Sequence, residues 1–167
     1  MSSPREILLA DADVLIDYVG SDPSVLGLVS EHVGDLFVLA QILRTVRSLS
    51  ARECKQHRIQ VVEADTETLI EAGSRSGGAL SFDDWLCVST CRYRSWTCVS
   101  NDRVLLRECR KARIRVRRGL GLMVDLVRTG IIPVVRAQEV AAAMQERNPH
   151  HINGRVIEAF HRAIGAP

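Results

Sequence analysis

No apolar run in this chain comes close to the roughly 18 residues needed to cross a bilayer, and the opening MSSPREILLA lacks the pattern of a secretory leader. A membrane-embedded function is thereby set aside, and a cytoplasmic location is expected. Aromatic residues make up only 4% of the chain, so an aromatic platform for stacking bases would be thin. Tyr93 and Trp96 are the residues available for one, while core packing is the expected fate of Trp85 and Trp96. Cysteine is present but unpatterned: Cys54, Cys87, Cys91, Cys98 and Cys109 are odd in number and contain no Cys-x-x-Cys pair. That excludes a disulfide framework and leaves small buried thiols in a reducing compartment. Cys87 and Cys91 share a helix face, yet no His or Cys stands at ligand spacing beside them, which sets aside a soft-metal site. Internal repeats and low-complexity segments are absent. A net charge of +2 and a pI near 8.4 permit nucleic-acid binding without requiring it.

What the chain does have is alternation. At 167 residues, 46% of them apolar, it is long enough for one domain with its own core. Ile7–Ala10, Leu36–Val38, Ile59–Val62, Thr97–Val99 and Ile114–Val116 read as short buried strands. Between them lie helical patterns, at Val14–Val19, from Ser24 towards His32, around Gln41–Leu49, at Ser50–Gln56, after Asp65, after Ser81 and from Asn101 towards Ala112. Strands alternating with helices, and without hairpin turns, predict an α/β fold. The expectation is a mostly parallel sheet of about five strands with helices on both faces. From Gly119 onward the alternation stops. Leu122, Leu126 and Val127 suggest one helix, Val140, Ala143 and Met144 a second, and Ile152, Val156, Phe160 and Ile164 a third, with Pro149 between the last two. We therefore expect a main unit over 1–118 and a C-terminal helical extension over 119–167 packed on it, with these helices also available to a dimer.

Three aspartates stand where strands end: Asp11 in ILLADADVLID, Asp84 in LSFDDWLC and Asp102 in TCVSNDR. In an open parallel sheet, ligands gather outside the carboxyl ends of the strands, where helices begin. Carboxylates gathered there repel one another unless a cation lies between them, so the pattern suggests a divalent metal site. Each aspartate also has a plain structural use. Asp11 and Asp102 suit helix starts, and Ser81-Phe82-Asp83-Asp84 fits a capping box that would by itself account for Asp84. Asp13 stands close enough to join the first site, and Asp17 reads as a solvated helix position. Asp83 lies about 100° around the helix from Asp84, so the two would not ligate in the same way.

In order and spacing, the strand running into Asp-Ala-Asp-Val-Leu-Ile, then Leu-Ser-Phe-Asp-Asp, then Val-Ser-Asn-Asp-Arg-Val-Leu resembles the PIN-domain nucleases, especially VapC-like toxin ribonucleases, over about residues 5–118. The resemblance implies a three-layer α/β/α fold and an acidic quartet that binds Mg2+ or Mn2+ and hydrolyses RNA phosphodiesters. Asp11, Asp84 and Asp102 match the first, third and fourth acidic members, while Ser100 and Asn101 match the hydroxyl residue and polar neighbour beside the fourth. The family's second acidic position falls on Thr45 here, with Gln41 one turn earlier, so one anionic ligand is lost and metal affinity should fall. A non-catalytic PIN-like module that binds RNA or protein is the alternative this raises. The resemblance further implies an antitoxin partner covering the acidic groove, and a homodimer. Asp11-x-Asp13 also invites a phosphatase of the haloacid-dehalogenase type, but Leu15 occupies the place where that class needs Thr or Val.

An RNA substrate would need cations. Arg103, Arg107, Arg110 and Lys111 follow directly on the Asp102 motif, with Arg113, Arg115, Arg117 and Arg118 close behind. Phosphate contacts of this kind supply affinity without sequence choice. A solvated helix face beside a charged strand edge is the other use for them.

Overall fold

Leu8, Leu9 and Ala10 have no exposed surface, as befits a central strand covered on both faces. In the computed structural model, which describes residues 4–166, they belong to β1 (Ile7–Ala10). The other strands are β2 (Asp35–Leu39), β3 (Gln60–Val62), β4 (Thr97–Val99) and β5 (Val116–Arg117). The sheet runs β3-β2-β1-β4-β5 with every neighbouring pair parallel. Among the described residues ten helices accompany it: α1 (Ala12–Ser21), α2 (Ser24–His32), α3 (Ala40–Leu43), α4 (Ala51–Gln56), α5 (Thr66–Arg75), α6 (Phe82–Arg94), α7 (Arg103–Lys111), α8 (Gly119–Arg128), α9 (Val134–Arg147) and α10 (Gly154–Ile164). Together they make the three-layer α/β/α arrangement that the alternation predicts. Helix α6 packs on β1 and β4 with α5 and α7 against it, while α2 packs on β2. Among the described residues, no helix is long and apolar enough to cross a membrane.

The strand order decides where a site can form. From β1 the chain builds outward through β2 to β3, then crosses back to place β4 on the other side of β1. Leu8, Leu9 and Ala10 pair with Thr97, Cys98 and Val99, so both strands end at one level. The Asp11 amide donates to the Val99 carbonyl at 3.1 Å, carrying the pairing one residue past the strand. The crevice at this reversal of direction is where open α/β sheets hold ligands.

The tail is fastened rather than loosely appended. Helix α9 lies along α1, and α8 lies against α2 and α10. Arg136 reaches Asp22 at 2.8 Å, and the buried Tyr18 hydroxyl donates to the Gly119 carbonyl at 2.6 Å. Ile152, Phe160 and Ile164 are buried, as their four-residue spacing predicts, with Val156 half-buried. Residues 1–3 and 167, the ends of the two units expected from sequence, lie outside the described residues. Tyr18→Phe removes the donor that ties α1 to the start of α8 and should lower stability by about 1 kcal/mol in urea titration.

Two sequence expectations need correction. The helical stretch expected over Gln41–Leu49 shrinks to the four residues of α3. The Thr45 hydroxyl donates to the Ile42 carbonyl at 2.7 Å, competing with continuation of the helix, and Val46 and Leu49 turn inward to be buried in irregular backbone. Asp17, expected in solvent, is 4% exposed. Asn101 and Asn148 donate to its carboxylate at 3.1 and 3.2 Å, and burial raises its pKa against the opposing pull of those two bonds.

Candidate active site

Each of the three aspartates is held by the start of a helix, but only Asp11 and Asp102 follow strands: the stretch before Asp84, read from sequence as a strand end, is the loop between α5 and α6. Asp11 follows β1 and precedes α1, and its Oδ1 accepts from the Val14 amide at 2.9 Å. Its Oδ2 accepts a short hydrogen bond from the Ser100 hydroxyl, which comes directly after β4. The same hydroxyl accepts from the Asp102 amide at 3.0 Å, so Ser100 links the ends of the two strands. Asp102 caps α7, its Oδ1 accepting from the Val104 and Leu105 amides at 2.7 and 3.3 Å. Asp84 completes the capping box that its sequence announces: its Oδ2 accepts from the Ser81 amide and hydroxyl, and the Asp84 amide donates back to Ser81 at 3.2 Å. Among the described residues, Asp84 Oδ1 and Asp102 Oδ2 are left without a protein donor.

The caps do not scatter these side chains. Asp11, Asp84 and Asp102 line one pocket of about 220 Å3, together with Asp13, Asp83, Ala12, Ile42, Ser81 and Cys87. Five of those nine residues are aspartates and none is basic. The charge is felt most strongly at Asp11, which is 5% exposed. Burial, reinforced by Asp13 and Asp84, pushes its carboxyl up to about 7 against the opposing pull of Ser100 and Val14. Asp83 is raised as well, by burial and then by Asp84. In both, burial is the larger cause and the neighbouring carboxylates add to it.

Asp13 thus stands where the sequence suggested. Asp83, about 100° around α6 from Asp84, lines the same pocket but takes no part in the capping box that holds Asp84. Thr45 is not part of the wall. It is exposed in the turn beyond α3, and the residue this segment presents to the acids is the buried Ile42. Asn101 lies beneath the site rather than in it. It is 2% exposed, and it clamps Asp17 to the Gly119 amide, which donates to its Oδ1 at 3.0 Å. Among the described residues, no three His, Cys, Asp or Glu side chains stand together as a ready-made metal cage. The five cysteines are buried and unpaired, and burial pushes the Cys54, Cys87 and Cys91 thiols up, away from nucleophilic or ligand character.

Asp102 also belongs to a second, larger pocket of about 640 Å3, lined by Arg103, Val104, Arg107, Arg110, Arg118, His150, His151 and Asn153. Arg103, Arg107 and Arg110 therefore stand where the sequence placed a cationic surface. Lys111 does not: its Nζ is 2.7 Å from Glu108. Arg118 takes a place on the wall instead, and the sequence had no signal for the histidines that join it from the α9–α10 turn. Of the aromatics, Trp96 packs against Phe37 with ring centroids 4.6 Å apart and carries Arg94 over its ring, while Tyr93 is exposed. Neither lines the acidic or the basic pocket.

Comparison with protein-family models, with curated proteins and with solved structures finds no match for this chain.

Proposed function

We propose that this chain is a divalent-metal-dependent endoribonuclease of the PIN type, acting as the toxin of a toxin–antitoxin pair. The observation that carries the reading is the meeting of Asp11, Asp84 and Asp102 in one pocket at the switch point of a parallel sheet, with an arginine-lined pocket sharing Asp102. The donor chemistry fits Mg2+ or Mn2+: all three are hard carboxylate oxygens, two of them keep an oxygen without a protein donor, and no basic side chain in the pocket neutralises them. When bound, such an ion would supply a water of lowered pKa and offset charge on the phosphoryl group.

The chain's own residues provide placement. The Val14 amide and the Ser100 hydroxyl fix the Asp11 carboxylate from two sides, so no side-chain freedom is lost when it takes up a ligand. The Ser81 box fixes Asp84 in the same way, and the first amides of α7 fix Asp102. Arginines next to Asp102 hold the substrate's backbone phosphates. By the same family resemblance, an antitoxin segment would cover the acidic pocket, and a homodimer would form.

Titration of Mn2+ into a single-stranded RNA cleavage assay tests the reading. Cleavage should rise with Mn2+ in the native chain, and Asp84→Asn should lower it at least ~100-fold, since one of the three proposed metal-binding carboxylates, with its charge, is lost. Undiminished cleavage by Asp84→Asn would remove the mechanism.

One observation favours a second reading. Ile42, not a carboxylate, fills the wall between the acids on the α3 side. A PIN-like scaffold that binds RNA or a protein without cutting would bind RNA normally and show no cleavage at millimolar Mn2+.

A further inference from the structure

The turn between α9 and α10 brings His150, His151 and Asn153 against the arginines of α7, although some 40 residues separate these segments in sequence. Arg103, Arg107 and Arg110 recur at i, i+4 and i+7, which puts them on one face of α7. Arg118, at the start of α8, adds a fourth guanidinium to the same pocket. Some of the chain's arginines are neutralised: Arg94 pairs with Asp65, Arg136 with Asp22, and Arg117 with Glu6 and Asp125, while Arg107 on the pocket wall stands 3.9 Å from Glu108. Among the described residues, Arg103, Arg110 and Arg118 have no such partner. Among the described residues, the acid on the pocket wall is Asp102, whose Oδ1 is taken up by the amides of α7. Burial, and then the neighbouring Arg110 and Arg103, lower the Arg118 pKa, the mirror image of the crowding at Asp11. A volume of about 640 Å3 lies within the range of pockets that enclose a small ligand.

We propose that Arg118 and the 149–153 turn complete, with the α7 arginines, a subsite for the RNA backbone phosphate next to the one presented to the acidic pocket, so that the C-terminal helices form one wall of the substrate groove. The proposal rests on the nuclease reading for the identity of the strand, and on the shared Asp102 for its path. A phosphate held among the arginines leaves its neighbour along the strand at the aspartates. The two imidazoles, in edge-to-face contact at 4.7 Å, and the amide of Asn153 add donors that a phosphate oxygen accepts.

The test is binding without cleavage: fluorescence anisotropy of a labelled single-stranded RNA on the full chain in EDTA, over a series of KCl concentrations. Arg118→Gln should weaken binding about 5- to 10-fold and reduce the slope of log K against log salt by about 0.7, the value for one lost phosphate contact on a single strand. His150→Ala/His151→Ala, in an exposed turn, should weaken it about 3-fold at the same salt. Arg52→Gln, on the exposed face of α4, should bind as the native chain does. Native affinity and slope in both the Arg118 and the histidine variants would overturn the subsite, as would a native chain that does not bind the RNA at low salt. Loss of binding in those variants from a chain that never cleaves with Mn2+ would instead uphold the subsite and sink the nuclease reading.

Discussion

Asp11→Asn should abolish cleavage and at the same time make the metal-free protein more stable at pH 8. Burial raises the Asp11 carboxyl to about 7, well above the 3.8 of an unfolded chain. A group raised in this way contributes stability that is fully present below about pH 4 and lost as pH climbs through 7. Metal-free native protein should therefore melt at progressively lower temperature between pH 5 and pH 8, as Asp11 is forced to ionise beside Asp13 and Asp84. Asparagine keeps an acceptor for the Val14 amide but carries no charge, so it should flatten that slope. Its gain at pH 8 is on the order of 2–4 kcal/mol, reading the raised pKa as an upper limit. The same change deprives the pocket of its most buried carboxylate, and Mn2+-dependent cleavage should drop at least ~100-fold. Thermal melts in EDTA at pH 5, 6, 7 and 8, run beside the cleavage assay, check both halves. A variant less stable than the native chain at pH 8 would mean that Asp11 is a helix cap and nothing more.

Ile42→Glu and Thr45→Glu should behave in opposite ways. The resemblance read from the sequence would put the missing acid at Thr45, whereas the fold brings Ile42 to the pocket wall and leaves Thr45 exposed beyond α3. A carboxylate at Ile42, which is 1% exposed, joins five aspartates with no cation between them. Its cost to metal-free stability should be about 3–5 kcal/mol, the range for an unpaired buried charge. Mn2+ should then recover much of that loss, so the melting temperature of Ile42→Glu should climb more steeply with Mn2+ than that of the native chain. Thr45→Glu should stay within about 0.5 kcal/mol of native and leave the Mn2+ response unchanged, as surface substitutions do. A Mn2+ response gained by Thr45→Glu and not by Ile42→Glu would favour the assignment implied by the resemblance and contradict the placement of α3.

The strand ends were legible in the sequence because several local signals agree there. Ile7–Ala10 and Thr97–Val99 are apolar, short, and cut off by residues that cap helices, and both strands occur with those bounds. Ser81 and Asp84 are three apart, a spacing that fixes the capping box wherever the helix goes. Asp17 was misread because its burial comes from Asn101 and Asn148, the latter 131 residues away, and helix periodicity carries no trace of such contacts. The basic pocket was half legible. The α7 arginines and Arg118 fall in one basic run, and the pairing of Lys111 with Glu108 is an i,i+3 contact within α7, but only tertiary packing adds His150 and His151. The length of α3 was hidden for a further reason: Thr45 and Val46 satisfy a helical pattern, yet a local side-chain bond and burial of Val46 serve the chain better.

Whether separate acidic side chains share one ion can be observed directly, by soaking crystals of the protein in Mn2+ and collecting diffraction at a wavelength where manganese scatters anomalously. A single strong anomalous peak among Asp11, Asp84 and Asp102, lost in the Asp84→Asn crystal, is the predicted result. A peak elsewhere, or none at millimolar Mn2+, would contradict it.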